Sequence, residues 1–215
     1  MPAVRVKICG VTSAADLRLA AECGADAVGL NFYPRSPRYV APAQAASLLR
    51  ALPPFVDAVG VFVGLKTRQV CALAYQLGLR AVQCFGDFDD VEDTFPFQRI
   101  VAFRVKDRSS LDEVELYLAK CRAAGAMPGA VLVDAHVEGQ LGGTGKVAPW
   151  ELLKEFRPGV PLILAGGLTA ENVAEAIRVV RPYGVDVASG VESSPGRKDP
   201  DKVRRFVENA RGAFV

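Results

Sequence analysis

The chain has 215 residues, half of them hydrophobic, enough to bury one large core without disulfide or metal staples. Its 26 basic and 24 acidic side chains leave a net charge of +2 with no long run of either sign, which argues against a nucleic-acid or acidic-membrane partner. Five cysteines without CxxC spacing and a single histidine argue against a disulfide framework or a His/Cys metal centre, so reduced thiols in the cytoplasm are the expectation.

The first residues carry Arg5 and Lys7 inside a strand pattern rather than ahead of an apolar stretch, so no leader is expected. No apolar run reaches the roughly 18 residues that a spanning helix needs. The first strand, 4–9, ends in Lys7-Ile8-Cys9 and is followed by Gly10 and the helix-start pair Thr12-Ser13. One thiol therefore stands at the carboxyl end of a strand, where α/β proteins carry their chemistry. Ionised, it serves as a base or nucleophile; packed as a small apolar residue, it serves only the core. Lys7, two residues back, points to the same face of the strand.

A helix over 13–23 begins with Ser13 as cap, repeats Leu17, Ala20 and Ala21 at helical spacing and ends at Gly24. Strand 27–32 runs into Tyr33-Pro34-Arg35-Ser36-Pro37-Arg38, where two prolines stiffen the loop. A guanidinium there can hold a carboxylate through two parallel hydrogen bonds; Arg38 is assigned that role and Arg35 the solvated one. Helix 42–52, strand 57–63, helix 66–77 and strand 81–85 follow. The acidic, irregular stretch 86–98 reads as a loop with at most a short helix. Strand 100–105 and helix 109–124 come next, the helix lining one face with Leu111, Val114, Leu118 and Cys121 and stopping at Gly125.

Strand 130–134 ends in Asp134, a carboxylate that is costly to bury unless paired or protonated. Partial burial would raise its pKa and suit it to general-acid work, whereas a loop or helix-cap acceptor is the plainer alternative. His136, past the strand end, reads as a loop residue. Gly142-Gly143-Thr144-Gly145 lacks the Lys-Ser/Thr of a triphosphate loop and reads as a lid able to close over a phosphorylated ligand. After helix 149–156 and strand 161–165 come Gly166-Gly167, and then a helix over 169–180. Strand 185–189 ends in Ser189-Gly190 ahead of a last helix over 199–211. Glycines at the ends of the seventh and eighth strands let backbone N–H groups approach an anion, and these loops are the common phosphate site of one fold in particular.

That fold is the (β/α)8 TIM barrel. Eight strand–helix units without a Pro/Gly/Ser-rich linker, with strands continuous in Val, Ile, Leu and Ala as buried parallel strands are, predict one closed barrel domain over residues 1–215. A doubly wound open sheet is second.

These residues resemble the phosphoribosylanthranilate isomerase family of tryptophan biosynthesis from one end of the chain to the other. The matching blocks are Lys7-Ile8-Cys9-Gly10-Val11-Thr12, Ser36-Pro37-Arg38, Gly60-Val61-Phe62-Val63 and Asp134 with 142–145. They continue through Leu164-Ala165-Gly166-Gly167-Leu168, Asn172-Val173, Val185-Asp186-Val187-Ala188-Ser189-Gly190-Val191-Glu192, Pro195-Gly196 and Lys198-Asp199. The resemblance implies an Amadori rearrangement of N-(5′-phosphoribosyl)anthranilate, with Asp134 as the acid that opens the ring and Cys9 as the thiolate that removes the C2′ proton. It implies Arg38 on the anthranilate carboxylate, and Gly143, Gly166, Gly167, Ser189 and Gly190 around the phosphate. Lys7 either lowers the pKa of the thiol or touches substrate. No cofactor or metal is implied; the partner is the small phosphorylated aminosugar, and the protein is a monomer or homodimer. One position departs. The family usually reads Gln-Leu-His-Gly at the fourth strand, and this chain reads Gln83-Cys84-Phe85-Gly86. That departure supports the competing expectation of a non-catalytic phosphometabolite-binding barrel. A related sugar-phosphate isomerase is the other competitor, disfavoured by a cysteine rather than an aspartate on the first strand.

Overall fold

Alternation along the strands divides their apolar residues into two populations. On the first strand Val6 and Ile8 face the helices while Arg5, Lys7 and Cys9 face the opposite way. The same parity sets Val82, Val131, Val133, Leu162, Leu164, Val185 and Val187 in one large buried cluster with the helices, and Ala102, Leu132 and Ala165 in a second, smaller one. Phe85, Ile100 and Ile163 pack on the smaller cluster. Two buried faces on every strand are what a closed parallel barrel requires.

The computed structural model describes residues 4–85, 95–135 and 149–214. Eight parallel strands close in chain order: β1 (Arg5–Cys9), β2 (Ala27–Asn31), β3 (Asp57–Val63), β4 (Ala81–Phe85), β5 (Gln98–Arg104), β6 (Ala130–Asp134), β7 (Leu162–Ala165) and β8 (Gly184–Val187). The helices between them are α1 (Ala14–Glu22), α2 (Pro42–Arg50), α3 (Thr67–Leu77), α4 (Arg108–Ala123), α5 (Pro149–Leu153), α6 (Val173–Val180) and α7 (Pro200–Arg211). β1 pairs with both β2 and β8, which closes the ring. Ser13 caps α1 by accepting from the Asp16 N–H at 3.1 Å, as its position suggests.

The elements differ from expectation by two residues or more in five places. α2 ends at Arg50, two residues before the expected 52. β5 begins at Gln98, two residues early. α5 ends at Leu153, three residues before the expected 156. α6 begins only at Val173, because Thr169–Asn172 forms a turn of its own. In that turn the Asn172 side chain accepts from the Thr169 N–H at 2.8 Å and donates to the Gly167 carbonyl at 2.9 Å. β8 stops at Val187, followed by a 3-10 turn (Ser189–Val191) and a small antiparallel hairpin of β9 (Glu192–Ser194) and β10 (Arg197–Lys198). His136, the expected lid with Gly143, and most of the stretch 86–98 lie outside the described residues. No described helix is long and apolar enough to cross a membrane.

Candidate active site

The carboxyl ends of the strands surround a cavity of about 670 Å³. Asn31 of β2, Arg38 of the following loop, Phe85 of β4, Arg104 of β5 and Asp134 of β6 all line it. Asp134 is half-buried and lies in register with Arg104 on one side and Ala165 on the other. Phe85, at the departing position, presents a ring to this cavity while packing on the small inner cluster.

Cys9 ends β1 at the same end of the barrel and is buried. Its thiol and the Lys7 ammonium both crowd Gly29 on β2: a Cβ there would stand 2.7 Å from Cys9 Sγ and 3.2 Å from Lys7 Nζ. Lys7 donates to Asp186 Oδ1 at 2.8 Å and to Gln83 Oε1 at 2.9 Å, and also toward the thiol. Asp186 is the residue in register with Lys7 on β8, so the ion pair lies directly across the β1–β8 junction. Burial pulls the Lys7 ammonium down, but Asp186 and Cys9 outweigh it and the net direction is up.

Lys7 pulls the Cys9 thiol down, as expected of it, but it does not set the net direction. Burial pushes the thiol above its ordinary value, the Asp186 charge pushes it further, and Lys7 and Lys198 only partly oppose them. The main physical reason is desolvation of the buried thiolate, and the Asp186 carboxylate that pairs with Lys7 adds to it. The Lys7 donors go to Asp186, Gln83 and Cys9, and Lys7 is not among the residues that line the carboxyl-mouth cavity.

Arg38 is engaged side-on. Its Nε and Nη2 donate to the two oxygens of Glu192 at 2.8 and 2.6 Å, a bidentate pair that raises the Arg38 pKa. The other edge of the guanidinium, formed by Nη1 and the second N–H of Nη2, makes no such pairing among the described residues. The Arg38 stem lies against Gly10, where any Cβ would collide with Arg38 Cδ and where φ is +73°. This explains the glycine that follows the cysteine. Arg35 is exposed, as expected.

The late loops meet one another. Gly166 and Gly167 both have positive φ, at 90° and 63°. Gly190 lies so close to the loop after β7 that a Cβ would run into the Leu168 carbonyl oxygen. Gly166, Gly167, Ser189 and Gly190 are thereby gathered at one side of the mouth.

Gln83, Asp186, Glu192 and Lys198 received no role from the sequence. A signal was available for two of them: a lone polar residue of inward parity in an otherwise apolar strand, as in Val82-Gln83-Cys84 and Val185-Asp186-Val187. Glu192 and Lys198 sit on the unforeseen hairpin and carried no such signal.

The fold and the polar groups gathered at its carboxyl mouth define a (β/α)8-barrel enzyme. A family model described as N-(5'phosphoribosyl)anthranilate (PRA) isomerase matches residues 6–209, and the chain belongs to that family. An N-(5'-phosphoribosyl)anthranilate isomerase of Trichlorobacter lovleyi is 47% identical over 213 residues, covering 98% of this chain and 100% of the relative. The phosphoribosyl anthranilate isomerase structure from Thermotoga maritima is 39% identical, with a TM-score of 0.83, covering 97% of this chain and 99% of that one. A structure in complex with reduced 1-(o-carboxyphenylamino)-1-deoxyribulose 5-phosphate is 37% identical, with a TM-score of 0.81 and the same coverage. A structure of monomers derived from the dimeric Thermotoga maritima protein is 35% identical, also with a TM-score of 0.81 and that coverage.

Proposed function

We propose that this protein is the isomerase that converts N-(5′-phosphoribosyl)anthranilate to 1-(2-carboxyphenylamino)-1-deoxyribulose 5-phosphate in tryptophan biosynthesis. Family membership over nearly the whole chain supports the reaction. The observation that supports the mechanism is that a thiol ends β1 and a carboxyl group ends β6, both at the carboxyl mouth of the barrel. Asp134 protonates the ring oxygen as the C1′–O bond breaks, leaving a protonated imine between C1′ and the aniline nitrogen. Cys9, as thiolate, removes the C2′ proton, and the electron pair moves into the C1′–C2′ bond while the imine π pair returns to nitrogen. The resulting enolamine tautomerises, gaining a proton at C1′ and losing the C2′ hydroxyl proton. The protein is left with a thiol and a carboxylate, and solvent returns the proton from one to the other.

The edge of Arg38 turned away from Glu192 suits the anthranilate carboxylate, and Gly166, Gly167, Ser189 and Gly190, with Gly143, suit the phosphate. Lys7 is assigned to the thiol rather than to substrate. Residues 1–215 act as one barrel domain, and five cysteines, an odd number, suit a reducing cytoplasm. Turnover of freshly prepared phosphoribosylanthranilate, followed by loss of its fluorescence, tests the proposal; an inactive wild-type protein that also fails to bind the reduced product analogue overturns it.

A homodimer is the assembly we favour. Phe55 is fully exposed at the amino-terminal mouth, on the rim of a cavity of about 450 Å³ that Tyr183 also borders. An aromatic projection and a cavity on one face are self-complementary under a two-fold axis. The dimeric Thermotoga maritima relative supports the same reading.

A further inference from the structure

We propose that Glu192 and Lys198, carried into the mouth by the β9–β10 hairpin, are positioning residues: Glu192 orients the Arg38 guanidinium and Lys198 anchors the peptide of Cys9. The inference rests on the function proposed above and adds two residues to it. Glu192 and Lys198 are register partners across the hairpin. The Glu192 carboxylate is 4% exposed and accepts from Arg38 Nε, Arg38 Nη2 and Lys198 Nζ, the last at 2.9 Å. The Lys198 side chain is wholly buried and directs its remaining donors to the Cys9 carbonyl at 2.6 Å and the Ala188 carbonyl at 3.2 Å. One carboxylate thus ties the arginine loop, the cysteine strand and the end of β8 together.

The hairpin itself is fastened from outside. Thr12 Oγ1 donates to the Gly196 carbonyl at 2.7 Å, and Lys202 Nζ of α7 donates to the Glu192 carbonyl at 2.8 Å. A buried charge cluster contributes little net stability relative to an apolar replacement. Its distinctive effect here is geometric. Side-on pairing with Glu192 leaves the opposite edge of Arg38 aimed away from the hairpin, and two cations sharing one carboxylate leave a surplus positive charge beside the cavity. Both features suit an anionic substrate group.

The test is a double-mutant cycle of Glu192→Gln and Arg38→Met, read by KM, kcat and titration with the reduced product analogue. Glu192→Gln keeps the shape but turns a donor toward donors. It is expected to raise KM and the analogue Kd by about ten-fold or more, with kcat changed far less, because charge-assisted hydrogen bonds are lost. In the Arg38→Met background the same change should add almost nothing to KM or the analogue Kd, since no guanidinium remains to orient. Lys198→Met should show the opposite pattern, with kcat falling and KM nearly constant. If Glu192→Gln does not fold, Glu192→Asp keeps the charge but is one methylene too short for all three bonds and is expected to show the same KM effect. Equal effects of Glu192→Gln in both backgrounds would overturn the proposal. So would variants that lose only thermal stability while their folded fraction keeps wild-type kinetics. Wild-type inactivity instead overturns the functional reading, and the inference falls with it.

Discussion

At the scale of single residues the informative conflict is at Cys9. The proposed mechanism uses the thiolate, yet burial and Asp186 favour the protonated thiol. Since the active form is the deprotonated one and the folded-state pKa is raised, the acid limb of the rate profile is expected above the range of an ordinary cysteine, and activity should still be climbing beyond neutral pH. Asp186→Asn removes the charge that both opposes the thiolate and neutralises Lys7, while Lys7, Lys198 and Arg38 remain nearby. The limb should therefore move to lower pH, as should the ultraviolet thiolate absorbance that Cys9→Ser abolishes. Losing one partner of a buried pair costs about 3–5 kcal/mol, so the variant is assayed below its own melting temperature. A limb that stays put or moves up would show that Asp186 does not act on the thiol. Cys9→Ala and Asp134→Asn should each lose about 10²–10⁴ in turnover, the usual cost of removing a general base or acid, while still binding the product analogue. Full activity in Cys9→Ala would transfer the proton abstraction to another group.

At the scale of elements, what could be read from the sequence was what repeats. Val6 and Ile8 against Lys7 and Cys9, or Val131 and Val133 against Leu132 and Asp134, report strand parity, and parity locates the inward groups. The β9–β10 hairpin could not be read that way: its strands of three and two residues are too short to show alternation, and its members are charged or polar. The late start of α6 was hidden because Thr169 and Asn172 carry the same capping signature whether they open a helix or close a separate turn. The hairpin gives an expected pH dependence. Burial raises the Glu192 carboxyl, but the Arg38 and Lys198 hydrogen bonds outweigh it and hold it below the usual carboxylate range. The stability it contributes is therefore present above the unfolded carboxyl value and lost as pH falls through the lower folded value. Urea midpoints measured against pH should show this acid loss, and Glu192→Gln should flatten it. The adjoining 3-10 turn gives a steric expectation. Gly190→Ala must displace the Leu168 backbone, at a cost of about 1–3 kcal/mol, and should weaken sulfate and product-analogue binding together. Unchanged anion binding in that variant would separate the two late loops from the phosphate site.

At the scale of the whole molecule the two mouths of the barrel are built differently. The carboxyl mouth collects Arg38, Asp134 and the late glycines, recognisable as motifs because chemistry restricts which residues can stand there, and adds Glu192 from the hairpin. The amino mouth offers no motif; its one conspicuous group, Phe55, looks in sequence like any aromatic near a loop, and only the structure shows where it goes. There it combines two costs. Phe55 is 103% exposed, and its φ of 69° lies in the left-handed region, which costs a side-chain-bearing residue about 1 kcal/mol or more. Pro53 and Pro54 immediately before it restrict the chain and hold the ring out rather than letting it fold back. In the proposed homodimer a second copy would remove the exposure: each protomer would set its ring against the other's cavity, and burying a phenylalanine would contribute about 1.5–3 kcal/mol at each of two symmetric sites. Sedimentation at micromolar concentration should therefore give a dimer. Phe55→Glu, which adds a charge where an apolar surface is needed, should give a monomer with a lower melting temperature and undiminished turnover, because the chemistry sits at the opposite end of the strands. A wild-type monomer, or a Phe55→Glu protein that remains dimeric, would remove the amino mouth from the assembly; a monomer that loses turnover would show instead that the two mouths are coupled through the barrel.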